Sequence, residues 1–124
     1  IYRSLWERNF MNYCDLNENI LEWASEEFWI PYLDPTTNRV RRYFPDFFIK
    51  YKDKENNIRR SVIEVKPMRE TLEPKITKGK SRKTLINESM TYVKNQAKWK
   101  AAREFCDDRK LEFKIMTEKE LGIR

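Results

Sequence analysis

The sequence contains no histidine. That absence removes Ser-His-Asp and Cys-His catalysis, His-based zinc sites and nucleases whose metal is held by histidine. Cysteine is scarce: Cys14 and Cys106 stand alone and form no CxxC pair. Two free thiols in a reduced, cytoplasmic setting are the default for such a chain. No apolar run approaches the ~18 residues that span a bilayer, so no membrane role is expected. No signal-peptide pattern, internal repeat or low-complexity segment is visible. The chain opens on Ile1 instead of Met, and the expectation is one domain over residues 1–124 with a truncated N-terminus.

Charge and aromatic residues are plentiful. Charged residues make up 37% and aromatics 14%, a balance that argues for a folded domain with a very polar surface rather than a disordered tail. The net charge of +6 and a pI near 9.3 make a polyanion a sensible partner, with nucleic acid ahead of an acidic membrane surface.

The most informative stretch is Arg42 to Pro67, RYFPDFFIKYKDKENNIRRSVIEVKP. It reads as two strands joined by the polar turn Asp53 to Asn57. Side chains alternate along a strand, so Glu64 and Lys66 share a face with Val62, while Ile63 and Val65 point into a core. If the turn centres near Glu55, Asp46 lies opposite Glu64. Two carboxylates and one ammonium then share one patch of sheet. Such oxygen donors suit a hard cation like Mg²⁺, which takes one or two carboxylates and completes its shell with water and phosphate. A lysine beside them can orient or deprotonate a water, or stabilise charge on a phosphoryl transition state. A Glu-x-Lys alone is as well explained by an exposed strand face. Here the charges are embedded among Phe44, Phe47, Phe48, Val62, Ile63 and Val65, which favours a shared site.

Along the rest of the chain, Tyr2 to Tyr13 reads as a helix with Trp6, Phe10 and Tyr13 on one face. Ser4 stands as its N-cap with Glu7 at the capping-box spacing. Glu7 has a second role open, as a third acid aimed at the carboxylate patch. Arg3 is either a phosphate contact or simply exposed. Ile20 to Tyr32 reads as one strand region with a bulge, and Trp23, Trp29 and Ile30 as its packing residues. Glu26 is either a buried partner of the patch or the solvent side of the strand. Asp34 to Asn38 is a turn. Arg39, Arg41 and Arg42 then form a basic lip, suited to a phosphate backbone or to a charged edge strand. Met68 to Lys83 is loop-like and basic, with Arg69, Lys78, Lys80, Arg82 and Lys83 on a flap that orders on DNA or on a plain solvated loop. Thr84 to Cys106 reads as a long helix whose buried stripe is Ile86, Met90, Val93, Ala97, Ala101 and Phe105. Asn95, Gln96 and Lys98 are its polar residues of interest, and Trp99 is expected in the core. Leu111 to Met116 alternates as a last strand, and Thr117 caps a short closing helix to Leu121.

Pro45-Asp46, a hairpin, then Glu64-Val65-Lys66 resembles the PD-(D/E)xK nuclease superfamily. The order of elements is that of its restriction-endonuclease-like core: α/β, with a mixed central sheet flanked by helices. Over nearly the whole chain the sequence is also similar to the head completion nucleases of T4-like tailed phages. That likeness is carried by residues 2–7, Trp23-x-x-Glu26, Ile30-Pro31-Tyr32, residues 42–47, residues 63–67, Asn95-x-x-Lys98-Trp99 and Thr117-Glu118. Several of these stretches also resemble the endonuclease domain of a Tn7-type transposition protein. The resemblance implies an endo- and exonuclease using Mg²⁺ or Mn²⁺ on double-stranded DNA. Asp46, Glu64, the Val65 carbonyl and Glu7 would be ligands, and Lys66 the catalytic lysine. It further implies work on packaged DNA in the infected bacterium's cytoplasm, or with the virion, beside head, portal or neck proteins. A non-catalytic DNA-end-binding head connector and a Holliday-junction resolvase-like nuclease are the competing readings.

Overall fold

A computed structural model describes residues 5–25 and 28–121. Arg3, Ser4 and Glu26, each given a role above, lie outside the described residues.

The chain runs α1 (Leu5–Leu16), β1 (Ile20–Ser25), β2 (Ile30–Asp34), β3 (Arg39–Tyr43), β4 (Phe47–Lys52), β5 (Ile58–Val65), a 3-10 turn (Met68–Thr71), α2 (Arg82–Asp108), β6 (Glu112–Met116) and α3 (Glu118–Leu121). Strands β1, β4, β5 and β6 form a four-stranded sheet in that order, and β2 pairs with β3 in a separate hairpin. The main sheet is mixed: β1–β4 and β4–β5 are antiparallel, β5–β6 parallel. A parallel neighbour needs a long crossover, and α2 supplies it. The expected mixed sheet flanked by helices is therefore present.

The β4–β5 register is set by its turn. The backbone N–H of Asp53 donates to Asn57, and the Asp53 carboxylate accepts from the amides of Glu55 and Asn57. Asn56 takes the left-handed conformation that asparagine tolerates (φ 68°). Phe47 then pairs with Ile63 and Lys52 with Ile58, the register of a turn centred on Glu55. One face of this pair carries Phe47, Ile49, Ile63 and Val65 against Phe10 and Cys14 of α1. The opposite face carries Val62 and Glu64, with Phe113 and Ile115 beside them on β6. Over that face sits a second core of Ile30, Tyr32, Tyr43, Trp99 and Ala102.

Four expectations about elements are corrected. The Ile20 to Tyr32 region is two strands in different sheets; its bulge does occur, between Ile20 and Glu22. Trp29 is 45% exposed, with the Arg42 guanidinium 4.7 Å above its ring, so it is not a core residue. On α1, Cys14 is buried while Tyr13 is exposed, because packing follows Trp6, Phe10 and Cys14, four residues apart. On α2 the fully buried residues are Asn95, Trp99, Ala102 and Cys106; of the expected stripe Ala97, Ala101 and Phe105 pack against the second core, and its N-terminal half does not. Ile86, Met90 and Val93 are 49%, 45% and 44% exposed. The helix turns its Trp99 edge inward because the indole fills the space between hairpin and sheet. Burying a group of that size outweighs covering Ile86 at the helix end. This helix begins at Arg82, capped by the Ser81 hydroxyl, which accepts from the Thr84 amide at 3.1 Å. Among the described residues no helix is long and apolar enough to cross a membrane.

Candidate active site

Asp46 stands one residue before β4, directly after Pro45, which is fully buried. Because β4 begins only at Phe47, the Val65 backbone N–H meets no strand partner there. The Asp46 Oδ2 accepts it instead, at 2.8 Å. This bond fixes the carboxylate over the C-terminal end of β5. Asp46 is 7% and Glu64 5% exposed. The β4–β5 register, continued one pair beyond Phe47 and Ile63, sets them opposite each other on the face away from α1, and the Asp46 carboxylate is near enough to act on the Glu64 charge.

Lys66 follows on the same face. Its backbone N–H donates to the Met116 carbonyl at 3.0 Å, so the β5 ladder holds it past the last strand residue. Its Nζ lies 4.0 Å from Glu64 Oε1 and its side chain is 30% exposed. Just beyond, the Glu118 carboxylate accepts the Met68 amide at 3.0 Å. Glu118 therefore pins the start of the turn that follows Lys66. The structure thus brings Asp46, Glu64 and Lys66 together in one partly open patch.

The electrostatics follow from that crowding. Burial, then the neighbouring Asp46 carboxylate, push Glu64 up to about 8, against the pull of Tyr43 and Lys66. Two carboxylates in contact cannot both ionise cheaply; a cation between them removes the conflict. Hard oxygen donors from Asp46, Glu64 and the adjacent Val65 carbonyl fit Mg²⁺ or Mn²⁺ in chemical type. Glu7 does not complete a larger set: among the described residues no three Cys, Asp or Glu side chains converge as a metal cluster. Glu7 lies in the first turn of α1, whose buried residues face the other side of the sheet.

Two further residues reach the site, neither of them nominated from the sequence as a site residue. The Tyr43 hydroxyl donates to Glu64 Oε2, and burial followed by the Glu64 charge holds its own proton on strongly. Glu118 is the second. Tyr43 sits three residues before Asp46, but nothing local says which way it faces; that depends on the hairpin packing against α2.

Of the other nominated residues, Lys98 stands near enough to feel the charges of Glu64 and Lys66, and the rest are dispersed. Lys98 is half-buried on α2, its Nζ 5.8 Å from the Tyr43 ring and 5.9 Å from the Tyr32 ring. Burial lowers its pKa, opposed by Glu64 and reinforced by Lys66 and Lys94. Asn95 is buried beside Trp99 on α2, and Gln96 is half-buried. In the basic lip, Arg41 is ion-paired with Asp34 at 3.0 Å and Arg42 covers Trp29. Of the residues expected in the basic loop, Lys80 pairs with Glu88 at 2.8 Å and Arg69 and Lys78 are exposed, while Arg82 and Lys83 are exposed on the first turn of α2 and not in the loop.

The model of the TnsA-like endonuclease N-terminal family matches residues 17–118. The chain is 36% identical over 120 residues to a head completion nuclease of Enterobacteria phage T4, an overlap covering 94% of this chain and 77% of that protein. No solved structure matches the chain.

Proposed function

The chain belongs to the TnsA-like endonuclease N-terminal family, and from that premise we propose that it is a metal-dependent DNA nuclease acting through Asp46, Glu64 and Lys66. A nuclease domain with the restriction-endonuclease-like core takes DNA as its substrate. The observation that carries the finer reading is the convergence of two carboxylates and one ammonium on a single patch.

In this reading Asp46, Glu64 and the Val65 carbonyl hold Mg²⁺ or Mn²⁺. A cation held there would supply polarisation of the scissile phosphate and a bound water of lowered pKa. The chain's own residues do the rest. The Val65 N–H keeps Asp46 aimed. Lys66 Nζ, beside Glu64 and partly open to solvent, hydrogen-bonds the attacking water or the phosphate oxygen that gains charge. The exposed Arg69, Lys78, Arg82 and Lys83 add non-specific affinity for the phosphate backbone. The T4 relative is named for head completion. We extend that role to this chain: endo- and exonucleolytic trimming of packaged phage DNA, in the infected cell or with the virion, next to head or neck proteins.

The test is incubation with supercoiled plasmid with Mg²⁺, Mn²⁺ or chelator. Nicked and linear DNA should appear with either metal, followed by shortening of the linear product, and none with chelator. DNA binding without turnover in any metal would overturn this reading in favour of a non-catalytic connector. Cleavage confined to four-way junctions by a dimer would point to a resolvase instead.

A further inference from the structure

We propose that Tyr43 is the positioning residue for the Glu64 carboxylate: its hydroxyl holds Oε2 and leaves Oε1, the oxygen facing Lys66, for a cation. This inference rests on the reading of Glu64 as a metal ligand.

The geometry is specific to the hydroxyl. Tyr43 ends β3, outside the sheet that carries Glu64, and is 4% exposed. Its ring belongs to the core under α2, yet its OH reaches out of that core to Glu64 Oε2. Lys66 Nζ stands by the other oxygen, Oε1, at 4.0 Å. The two carboxylate oxygens therefore have different neighbours, the hydroxyl on Oε2 and the ammonium by Oε1. Phenylalanine would fill the same core volume, so packing alone does not call for the oxygen.

The hairpin is also built to hold this tyrosine still. Asp34, at the far end of β2, is fully buried. Its Oδ1 accepts the Thr36 amide and hydroxyl at 2.9 and 2.6 Å. Its Oδ2 faces Arg41 Nε at 3.0 Å and Lys94 Nζ of α2 at 3.8 Å. Lys98, one turn further along α2, lies over the rings of Tyr32 and Tyr43. The hairpin is thus tied to α2, and Tyr43 carries that fixed position to the carboxylate. Groups that orient a ligating carboxylate act on metal affinity as strongly as on turnover.

Calorimetric titration of Mg²⁺ and Mn²⁺ into the metal-free protein, Tyr43→Phe and Tyr32→Phe tests this. Tyr43→Phe should weaken metal binding on the order of 10–100-fold, and saturating metal should restore most of its cleavage rate. Tyr32→Phe, whose ring also lies under Lys98, should bind metal as the parent does. A folded Tyr43→Phe protein with parental metal affinity overturns the proposal while leaving the metal reading intact. A parent protein that binds neither cation overturns both. If Tyr43→Phe does not fold, isotope-labelled tyrosine in the parent decides: the Tyr43 ring resonance should move on adding Mg²⁺ and the Tyr32 resonance should not. A parent that binds Mg²⁺ with the Tyr43 signal unmoved overturns the proposal.

Discussion

The Asp46 carboxylate accepts the Val65 backbone N–H at 2.8 Å, so one acid of the site is aimed by the strand that carries the other. Asparagine retains an acceptor oxygen for that bond but loses the charge. Asp46→Asn should therefore fold as the parent does, bind DNA, and cleave no plasmid. In chelator it should melt slightly higher than the parent, because it removes one of two crowded carboxylates. Plasmid nicking, filter binding and thermal melting check the three parts. Persistent cleavage would reject Asp46 as a ligand.

Lys66→Ala should lower the cleavage rate on the order of 10²–10⁴-fold, the range for a positioned proton-transfer group. Metal binding should persist, since the proposed ligands are oxygens of Asp46, Glu64 and Val65. Single-turnover rates at saturating Mg²⁺, beside calorimetry, separate the two. A loss of metal affinity equal to the loss of rate would make Lys66 a structural partner of Glu64 only.

Glu64 gives a pH dependence with a definite sign. In the metal-free protein its pKa is raised from 4.5 to about 8, first by burial and then by Asp46. The folded state thus holds a proton that the unfolded state has released. This group's contribution to stability is complete below about 4.5 and is lost as pH rises through about 8. Metal binding needs the deprotonated carboxylate, so affinity should climb with pH up to that value and the binding should release a proton. Melting in chelator across pH, and calorimetry in buffers of different ionisation enthalpy, measure both. Flat profiles would remove Glu64 from the metal site.

The rotation of α2 is open to a direct stability test. Trp99 is 1% exposed and Ile86 is 49% exposed. Trp99→Ala should cost about 3–5 kcal/mol, whereas Ile86→Ala, in a half-exposed setting, should stay within roughly 1 kcal/mol. Ala102→Leu, at a position with no exposed surface, should overpack the core and cost about 1–3 kcal/mol. Urea denaturation compares all three. A larger loss for Ile86→Ala than for Trp99→Ala would mean that the helix buries its other face.

The basic loop and the first turn of α2 should contribute unequally to DNA binding. Lys80 already pairs with Glu88 and donates to the Lys75 carbonyl at 3.0 Å. Replacing Lys78, Arg82 and Lys83 with alanine should weaken binding across all sequences. The slope of log affinity against log salt should fall by about 0.9 for each phosphate that is no longer neutralised. Lys80→Ala should change the slope less than any of the three. Binding isotherms over a salt series read this out.

The reach of the sequence differs from element to element. Asp53 to Asn57 is a local turn, and period-two alternation runs out from it on both sides. A register one residue off would have sent Ile63 and Val65 to the wrong face. So the facing of Asp46 and Glu64 was legible from the chain alone. Trp99 as a core residue and the capping role of Thr117 were legible too: the Glu120 carboxylate accepts the Thr117 N–H and hydroxyl, each at 2.7 Å. The α2 stripe was legible only in its C-terminal half, where Ala97, Ala101 and Phe105 pack against the second core. Ile86, Met90 and Val93 continue that apolar face by sequence yet stay exposed, and Asn95, Trp99, Ala102 and Cys106 are the fully buried residues. Helical spacing offers both faces, and only a neighbour selects between them.

By itself the sequence determined the hairpin register, the basic surface and the exclusion of histidine chemistry, because each follows from local geometry or from composition. Tertiary packing decided that the Ile20 to Tyr32 region splits between two sheets, that α2 turns Trp99 inward, and that Tyr43 meets Glu64. Those outcomes depend on which surfaces meet across long stretches of chain. The free energy that selects them is burial of large side chains between elements, which no local pattern encodes.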